Sequence, residues 1–344
     1  MAQGIPADHW LQAVSTALPA AARPWRAPAT GRILFIFLDG VGLAPAGPHN
    51  PLSQVPTPCL RALLGGPLVL DGRPQPAQPG PGVVFRALDA CLGVPGLPQS
   101  ATGQTALFTG LNAPALVGEH ITAHPTAPLR AVIAEHSVLK RAAEGGTRVL
   151  FANAHSQKFW DMVRGRKRRL GASTLTALAA GAPIPTLADL VAGRAVLWDI
   201  THEIATDYLD YDLPLVTPKE AGIRLSRLAA EFDLVLYESF LPDLAGHRRL
   251  EPAWVLVRLD AFLGSVLANR PPGTTLVLCS DHGNIEDTTS KRHTTNPVPL
   301  LAVGPAAGRF RQARFITDVA PAILAALEPM LRPEAGGARA ALSR

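Results

Sequence analysis

An adjacent carboxylate and imidazole, Asp281 and His282, follow the apolar run Thr274-Thr275-Leu276-Val277-Leu278-Cys279, and His293 comes a short distance later. A buried strand there would deliver Asp281 and His282 to its C-terminal end, the edge at which open α/β sheets bind ligands. Both side chains are ligands for divalent cations. The same arrangement recurs elsewhere in the chain. Ile33-Leu34-Phe35-Ile36-Phe37-Leu38 runs into Asp39-Gly40-Val41-Gly42, where the glycines let another group approach the backbone closely. Leu234-Val235-Leu236-Tyr237 runs out towards Asp243, with His247 at the i+4 position. That spacing puts both on one face of a helical turn, within reach of one cation.

A different kind of group lies in Pro98-Gln99-Ser100-Ala101-Thr102-Gly103-Gln104, just ahead of a helix-forming apolar run. Helix N-termini favour anions such as phosphate. Ser100 is therefore a candidate nucleophile, activated by coordination to a metal. Ser and Thr are also favoured N-caps, and each motif taken singly reads equally well as a capped or polar turn. Their joint occurrence points further. Asp39, Ser100, Asp243, His247, Asp281, His282 and His293 are expected to converge in one cleft as a two-metal site.

The elements that must position them alternate. Ile33–Leu38, Val83–Ala87, Leu234–Tyr237 and Leu276–Cys279 read as buried parallel strands, and Glu220–Phe232, Pro252–Ala268 and Ile316–Leu327 as helices. This alternation predicts an α/β fold, a three-layer core with a mostly parallel sheet covered on both faces. Residues 116–214 read as a smaller inserted α/β cap. They carry their own strand candidates, Arg148–Ala152 and Ala195–Trp198, and the basic run Arg164-Gly165-Arg166-Lys167-Arg168-Arg169. The expected organisation is an N-terminal extension (1–30), a first core part (31–115), the cap (116–214) and a second core part (215–344).

Composition bounds the function classes. The 344 residues are 47% hydrophobic and 17% charged, with 33 Pro, 30 Gly and a net charge of +5, which suits anionic substrates without arguing for nucleic acid. Three scattered cysteines, Cys59, Cys91 and Cys279, exclude a disulfide framework or a Cys-rich zinc site and point to a reducing compartment. Residues 2–22 place Trp10, Leu11, Val14 and Leu18 at helical spacing, which fits an amphipathic helix better than a signal peptide. No apolar run is long enough to span a membrane, so a cytoplasmic protein is expected.

These motifs resemble the alkaline phosphatase superfamily, in particular its branch of cofactor-independent phosphoglycerate mutases and phosphopentomutases. The resemblance covers Asp39-Gly40-Val41-Gly42, Ser100 with Gly103, Asp243-Leu244-Ala245-Gly246-His247, Asp281-His282-Gly283-Asn284, and His293 with Asn296-Pro297-Val298-Pro299. Thr317-Asp318-Val319-Ala320-Pro321 looks like the opening of the superfamily's final helix. The resemblance implies two divalent metals, one on Asp243, His247 and His293, the other on Asp39, Asp281 and His282, with the Ser100 hydroxyl between metal and phosphorus. The chain also departs from the mutases. Gln104 stands where they usually carry a His, and Thr105-Ala106-Leu107-Phe108-Thr109-Gly110 replaces their Asn-Ile-Gly-Ala-Gly-Arg run. Their Arg-Asp substrate motif has no counterpart. Cys59-Leu60-Arg61 does not fit the nucleophile motif of sulfatases.

The expected activity is phosphoryl transfer on a small phosphorylated metabolite through a phosphoserine, with hydrolysis favoured over a phosphomutase of the phosphoglycerate or phosphopentose type. Mixed O/N ligation favours Mn2+ or Zn2+ over Mg2+. Gln104, Arg164, Arg166, Arg168 and His202, with Glu203 beside it, are candidates to hold the substrate. A competing reading, nucleic-acid binding through residues 164–169, lacks the aromatic stacking pattern or module that should accompany it.

Overall fold

The computed structural model describes residues 31–331 apart from 71, 73–74 and 210. The helix expected within 2–22 lies outside the described residues. Six strands, β1 (Arg32–Leu38), β2 (Val83–Leu88), β3 (Val149–Phe151), β4 (Leu234–Ser239), β5 (Thr274–Cys279) and β6 (Val298–Val303), form one sheet in the order β2-β6-β5-β1-β4-β3. β1 pairs in parallel with β4 and β5, and β3 in parallel with β4; β6 runs antiparallel to β5 and β2. Every residue of β1 is buried, as a strand covered on both faces requires. Its side chains alternate between two apolar clusters, Ile33, Phe35 and Phe37 in one and Leu34, Ile36 and Leu38 in the other.

The helices that bear on the site are α1 (Ser100–Thr109), α2 (Ala127–His136), α3 (Val138–Glu144), α4 (Gln157–Arg164), α5 (Ala172–Ala179), α6 (Pro218–Glu231), α7 (Leu241–Gly246), α8 (Pro252–Asn269) and α9 (Val319–Leu331). On one face Leu107 and Phe108 of α1, Ile133 of α2, Leu139 of α3, Leu175 of α5 and Ile323 of α9 join the first cluster. On the other face Leu225 of α6 and Leu259 and Phe262 of α8 join the second. The expected three-layer, mostly parallel α/β core is what forms. No helix among the described residues is long and apolar enough to cross a membrane.

Three expectations need correction. β2 does not pair in parallel; its ladder is antiparallel to β6, a strand hidden in the sequence because Pro299 argues against sheet pairing. Residues 116–214 are not a layer apart from the core. Val149–Phe151 pairs along β4 as the edge of the same sheet, and α2, α3 and α5 bury their apolar faces with β1 and α1. A separate small cluster is confined to Ala154, Leu190, Ala195, Leu197, Ala205 and Leu213. Ala195–Trp198 makes a single bridge, Asn153 with Val196, instead of a strand.

Phe108 fixes α1 to the sheet, lying edge-on to Phe35 and Phe37 with ring centroids 6.1 and 5.3 Å away. Phe108→Ala is expected to cost about 3–5 kcal/mol, the usual range for a fully buried Phe. Urea unfolding would measure it, with the exposed Leu116 replaced by Ala as the control that should hardly move.

Candidate metal centre

Four segments meet at the C-terminal ends of β1, β4 and β5. Asp39 is the first residue after β1, its N–H donating to Ser239 O at the end of β4 (3.0 Å). Asp281 and His282 follow β5, and α7 turns back from β4 to present Asp243, with His247 at its C-terminus. The loop into β6 brings in His293. Gly40 makes this crowding possible. Its φ of +75° is one that L side chains avoid, and a Cβ there would meet the Asp243 Cα at 2.8 Å.

The six predicted ligands all arrive. Asp243, His247 and His293 bring one ligand atom each to within 4.8 Å of one another, and so do Asp39, Asp243 and His282. Asp243 is common to both groups. In the first, His247 Nε2 lies 3.4 Å from Asp243 Oδ2, His293 Nε2 lies 3.5 Å from Asp243 Oδ1, and the two Nε2 atoms are 3.3 Å apart. His247 Nδ1 donates to Lys291 O (2.8 Å) and His293 Nδ1 to Pro98 O (2.9 Å). With those protons on Nδ1, both Nε2 atoms turn lone pairs towards the same point, the arrangement of metal-bound imidazoles.

In the second group, His282 Nε2 sits 3.2 Å from Asp39 Oδ1, 3.5 Å from Asp281 Oδ2 and 3.0 Å from Ser100 Oγ. Asp39 Oδ1 and Asp281 Oδ2 are both buried and receive no hydrogen bond. Carboxylate oxygens left in this state are costly unless a cation meets them. Burial pushes the Asp39 carboxyl up, and burial with the neighbouring Asp39 pushes Asp281 well above the carboxylate range. Burial would lower the His282 imidazole, but Asp281 and Asp39 outweigh it and hold His282 at about 10. Burial works against ionisation of Asp243 as well, yet His293, His282 and Asn284 draw it down to about 2. Orphaned acid oxygens and converging imidazole lone pairs fit divalent cations held by mixed O/N ligands.

Ser100 is the first residue of α1, after Gln99 at the N-cap, so it is not itself the cap. The amides of Ala101 and Thr102 both go to Ile121 O (3.1 and 3.4 Å), which leaves α1 offering a hydroxyl and a dipole rather than a row of free N–H groups. Gly103 lets the helix approach, since a Cβ there would meet Asp281 O at 2.9 Å. Gln104 corrects its reading as a substrate contact: its Nε2 donates to Asp39 Oδ2 (2.9 Å) and holds a ligand carboxylate.

The other substrate candidates do not join the cluster. Arg164 at the end of α4, and Arg166 and Arg168 beyond it, are exposed. Arg164 pairs with Asp161 (2.5 Å), and Arg168 lies over the Phe159 ring, 5.2 Å from its centroid. His202 is buried with Nδ1 on Pro214 O (2.8 Å), and Glu203 is held by both Arg258 and Thr201. The imidazole is met by a backbone carbonyl of its own loop and the acid by Arg258 and Thr201, so neither needs a ligand.

Sequence reasoning gave no role to three polar residues here. Asn284 Nδ2 donates to Asp243 Oδ1 (2.8 Å). Glu286 is buried beside the ligand loops, and Glu238, at the end of β4, is pushed up to about 7 by burial and by Asp39 despite Ser173. The available signal was acids and amides persisting where a strand end should turn to solvent.

Residues 219–329, about a third of the chain, match the family model described as Metalloenzyme superfamily, a span that holds five of the six predicted ligands. A 2,3-bisphosphoglycerate-independent phosphoglycerate mutase of Paracoccus denitrificans (strain Pd 1222) is 33% identical over 140 residues, 37% of this chain and 27% of that protein. One from Syntrophotalea carbinolica is 32% identical over 142 residues, 38% of this chain and again 27% of the relative. The matched stretch thus spans about a quarter of these curated relatives. A protein of Pyrococcus horikoshii superposes with a TM-score of 0.51 at 14% identity, covering 89% of this chain and 99% of that one, a likeness of fold. Together with the ligand motifs, these matches show that over about a third of its length the chain is similar to the Metalloenzyme superfamily and to the cofactor-independent phosphoglycerate mutases.

Proposed function

We propose that the chain transfers the phosphoryl group of a small phosphorylated metabolite to Ser100 and then to water, as a metal-dependent phosphohydrolase. The observation that carries this reading is Ser100 Oγ, at the start of α1 and 3.0 Å from His282 Nε2, facing the Asp39–Asp281 carboxylates. Divalent ions, with Mn2+ or Zn2+ suited to these ligands and Mg2+ less so, supply charge neutralisation for the phosphate and lower the pKa of the hydroxyl. The chain's own residues do the rest. Asp243, His247 and His293 form one ligand set and Asp39, Asp281 and His282 the other, with Asp243 also within reach of Asp39 and His282. Gln104 and Asn284 keep Asp39 and Asp243 in place. The Ser100 oxygen attacks phosphorus in line, the ester oxygen leaves with the alcohol, and the phosphoserine is cleaved by water.

A phosphomutase is the second reading, favoured by the names of the sequence relatives. In that case a hydroxyl of the same substrate replaces water. The small cluster around Ala154, Leu190 and Leu213 would be the part of residues 116–214 that covers the substrate. The departures around Gln104 and Thr105–Gly110 support hydrolysis, since Gln104 serves a metal ligand instead of a phosphate. Incubation with 3-phosphoglycerate, and with p-nitrophenyl phosphate, in Mn2+, Zn2+ or Mg2+ separates the two readings. Inorganic phosphate release supports the hydrolase, and isomerised phosphoglycerate without phosphate release supports the mutase.

Ser100→Ala should abolish turnover while leaving metal content and Tm close to wild type; retained turnover would remove Ser100 from the mechanism. Because Asp243 belongs to both ligand groups, Asp243→Asn should lower occupancy of both ions, whereas His247→Ala should lower one, as metal analysis of the dialysed proteins would show. Within the basic run Arg166, Lys167 and Arg169 carry no ion pair among the described residues, and we assign them to the anionic remainder of the substrate. Replacing all five basic residues of 164–169 with Gln should raise KM for a phosphorylated metabolite and leave p-nitrophenyl phosphate hydrolysis nearly unchanged. Equal losses on both would refute the assignment.

A further inference from the structure

Glu286 is 1% exposed, has no Lys or Arg partner among the described residues, and accepts four hydrogen bonds from three separate segments. Oε2 takes the N–H of Gly42 (2.9 Å), from the loop that carries Asp39, and the N–H of Asn284 (2.7 Å), from the loop that carries Asp281 and His282. Oε1 takes Nδ2 of Asn296 (3.0 Å) and the hydroxyl of Thr294, both from the segment that carries His293. Asn284 extends the connection to the fourth ligand segment, since its side chain donates to Asp243 Oδ1. The surroundings are shaped to this carboxylate: a Cβ at either Gly42 or Gly283 would collide with it.

We infer that Glu286 is a positioning residue, a buried acceptor that fixes the spacing between the two ligand sets by tying their loops to one carboxylate. The inference rests on the metal-binding part of the proposed function and not on which reaction follows. Its own oxygens are taken up by protein donors, so it does not serve as a ligand. Each oxygen receives two donors, which only a carboxylate provides on both sides. In Glu286→Gln an NH2 facing Gly42 and Asn284 sets donor against donor, and an NH2 facing Thr294 and Asn296 forces the hydroxyl and the side-chain amide to reverse their roles, with the charge lost in either case, so one of the two contacts weakens. One loop then moves relative to the other two, and the ligand geometry is lost with it.

The test is calorimetric titration of the full chain with Mn2+, wild type against Glu286→Gln, beside far-UV circular dichroism and the Tm of the metal-free proteins. The wild type is expected to take up two ions. Glu286→Gln should bind both about 10–100-fold more weakly, the range for lost outer-shell partners of metal ligands, with its secondary structure intact. A purely structural role would lower the metal-free Tm and leave the affinity of the folded protein unchanged; that result overturns the inference. Asn296→Ala guards against a Glu286→Gln chain that fails to fold. It keeps the carboxylate and removes one donor, and should weaken the ion at Asp243, His247 and His293 more than its neighbour. Equal affinity to wild type at both ions in Asn296→Ala would likewise overturn it. A wild type that binds two Mn2+ but turns over no phosphate ester defeats the phosphoryl-transfer reading and leaves the titration of Glu286→Gln to decide this one.

Discussion

The structure turns on the meeting of three carboxylates, Asp39, Asp243 and Asp281, in a buried space. Two unit charges 4 Å apart repel by about 4 kcal/mol at an effective dielectric of about 20, so a cluster of this kind persists only with positive charge among it. His282, with Asp39 and Asp281 both within 3.5 Å of its Nε2 and holding it at about 10, supplies part of that charge. The opposite directions in which Asp281 and Asp243 are driven follow from the same geometry. Asp281 has no exposure and a like charge beside it, whereas Asp243 has imidazoles and the Asn284 amide.

The sheet exists to hold that cluster at one edge. β4, β1 and β5 are neighbours and parallel, so the residues that follow them emerge side by side although Asp39 precedes Asp243 and Asp281 by more than 200 positions. Strand β6 runs the other way, which lets the segment before it enter the same edge and deliver His293. Glycines then allow backbones to come closer than side chains would permit, at Gly40 against α7 and at Gly103 against the end of β5. Phe108 clamps the helix that carries Ser100 to β1. Precision in the site is therefore a property of ordinary core packing several residues away.

Much of this was legible in the sequence because chemistry and burial coincide along it. Asp39, Asp281 and His282 follow strands that are apolar throughout, and Asp243 with His247 keeps helical spacing, so each ligand announced both its type and its address. What stayed hidden depends on partners remote in sequence. Val149–Phe151 reads the same whether it starts a new sheet or edges an old one; only the unpaired side of β4 decides. Pro299 masked β6. Gln104 was placed on the right helix but given the wrong partner, because its contact is with Asp39, 65 positions earlier. The basic run was prominent in composition, yet Arg164 and Arg168 are spent on Asp161 and Phe159, neighbours that a sequence reading weighs less than charge.

The separation of the ligands along the chain also sets when the centre can come into being. Asp243 and His247 are close neighbours in any helical turn, but Asp39, Asp281 and His293 reach them only through the long-range pairing of β1 with β4 and β5 and of β5 with β6. Contacts of such high sequence separation carry loop-closure entropy and form late in folding. An unfolded chain therefore presents at most a pair of ligands to a passing cation, too few to organise anything. A full set of ligands exists only in the folded protein.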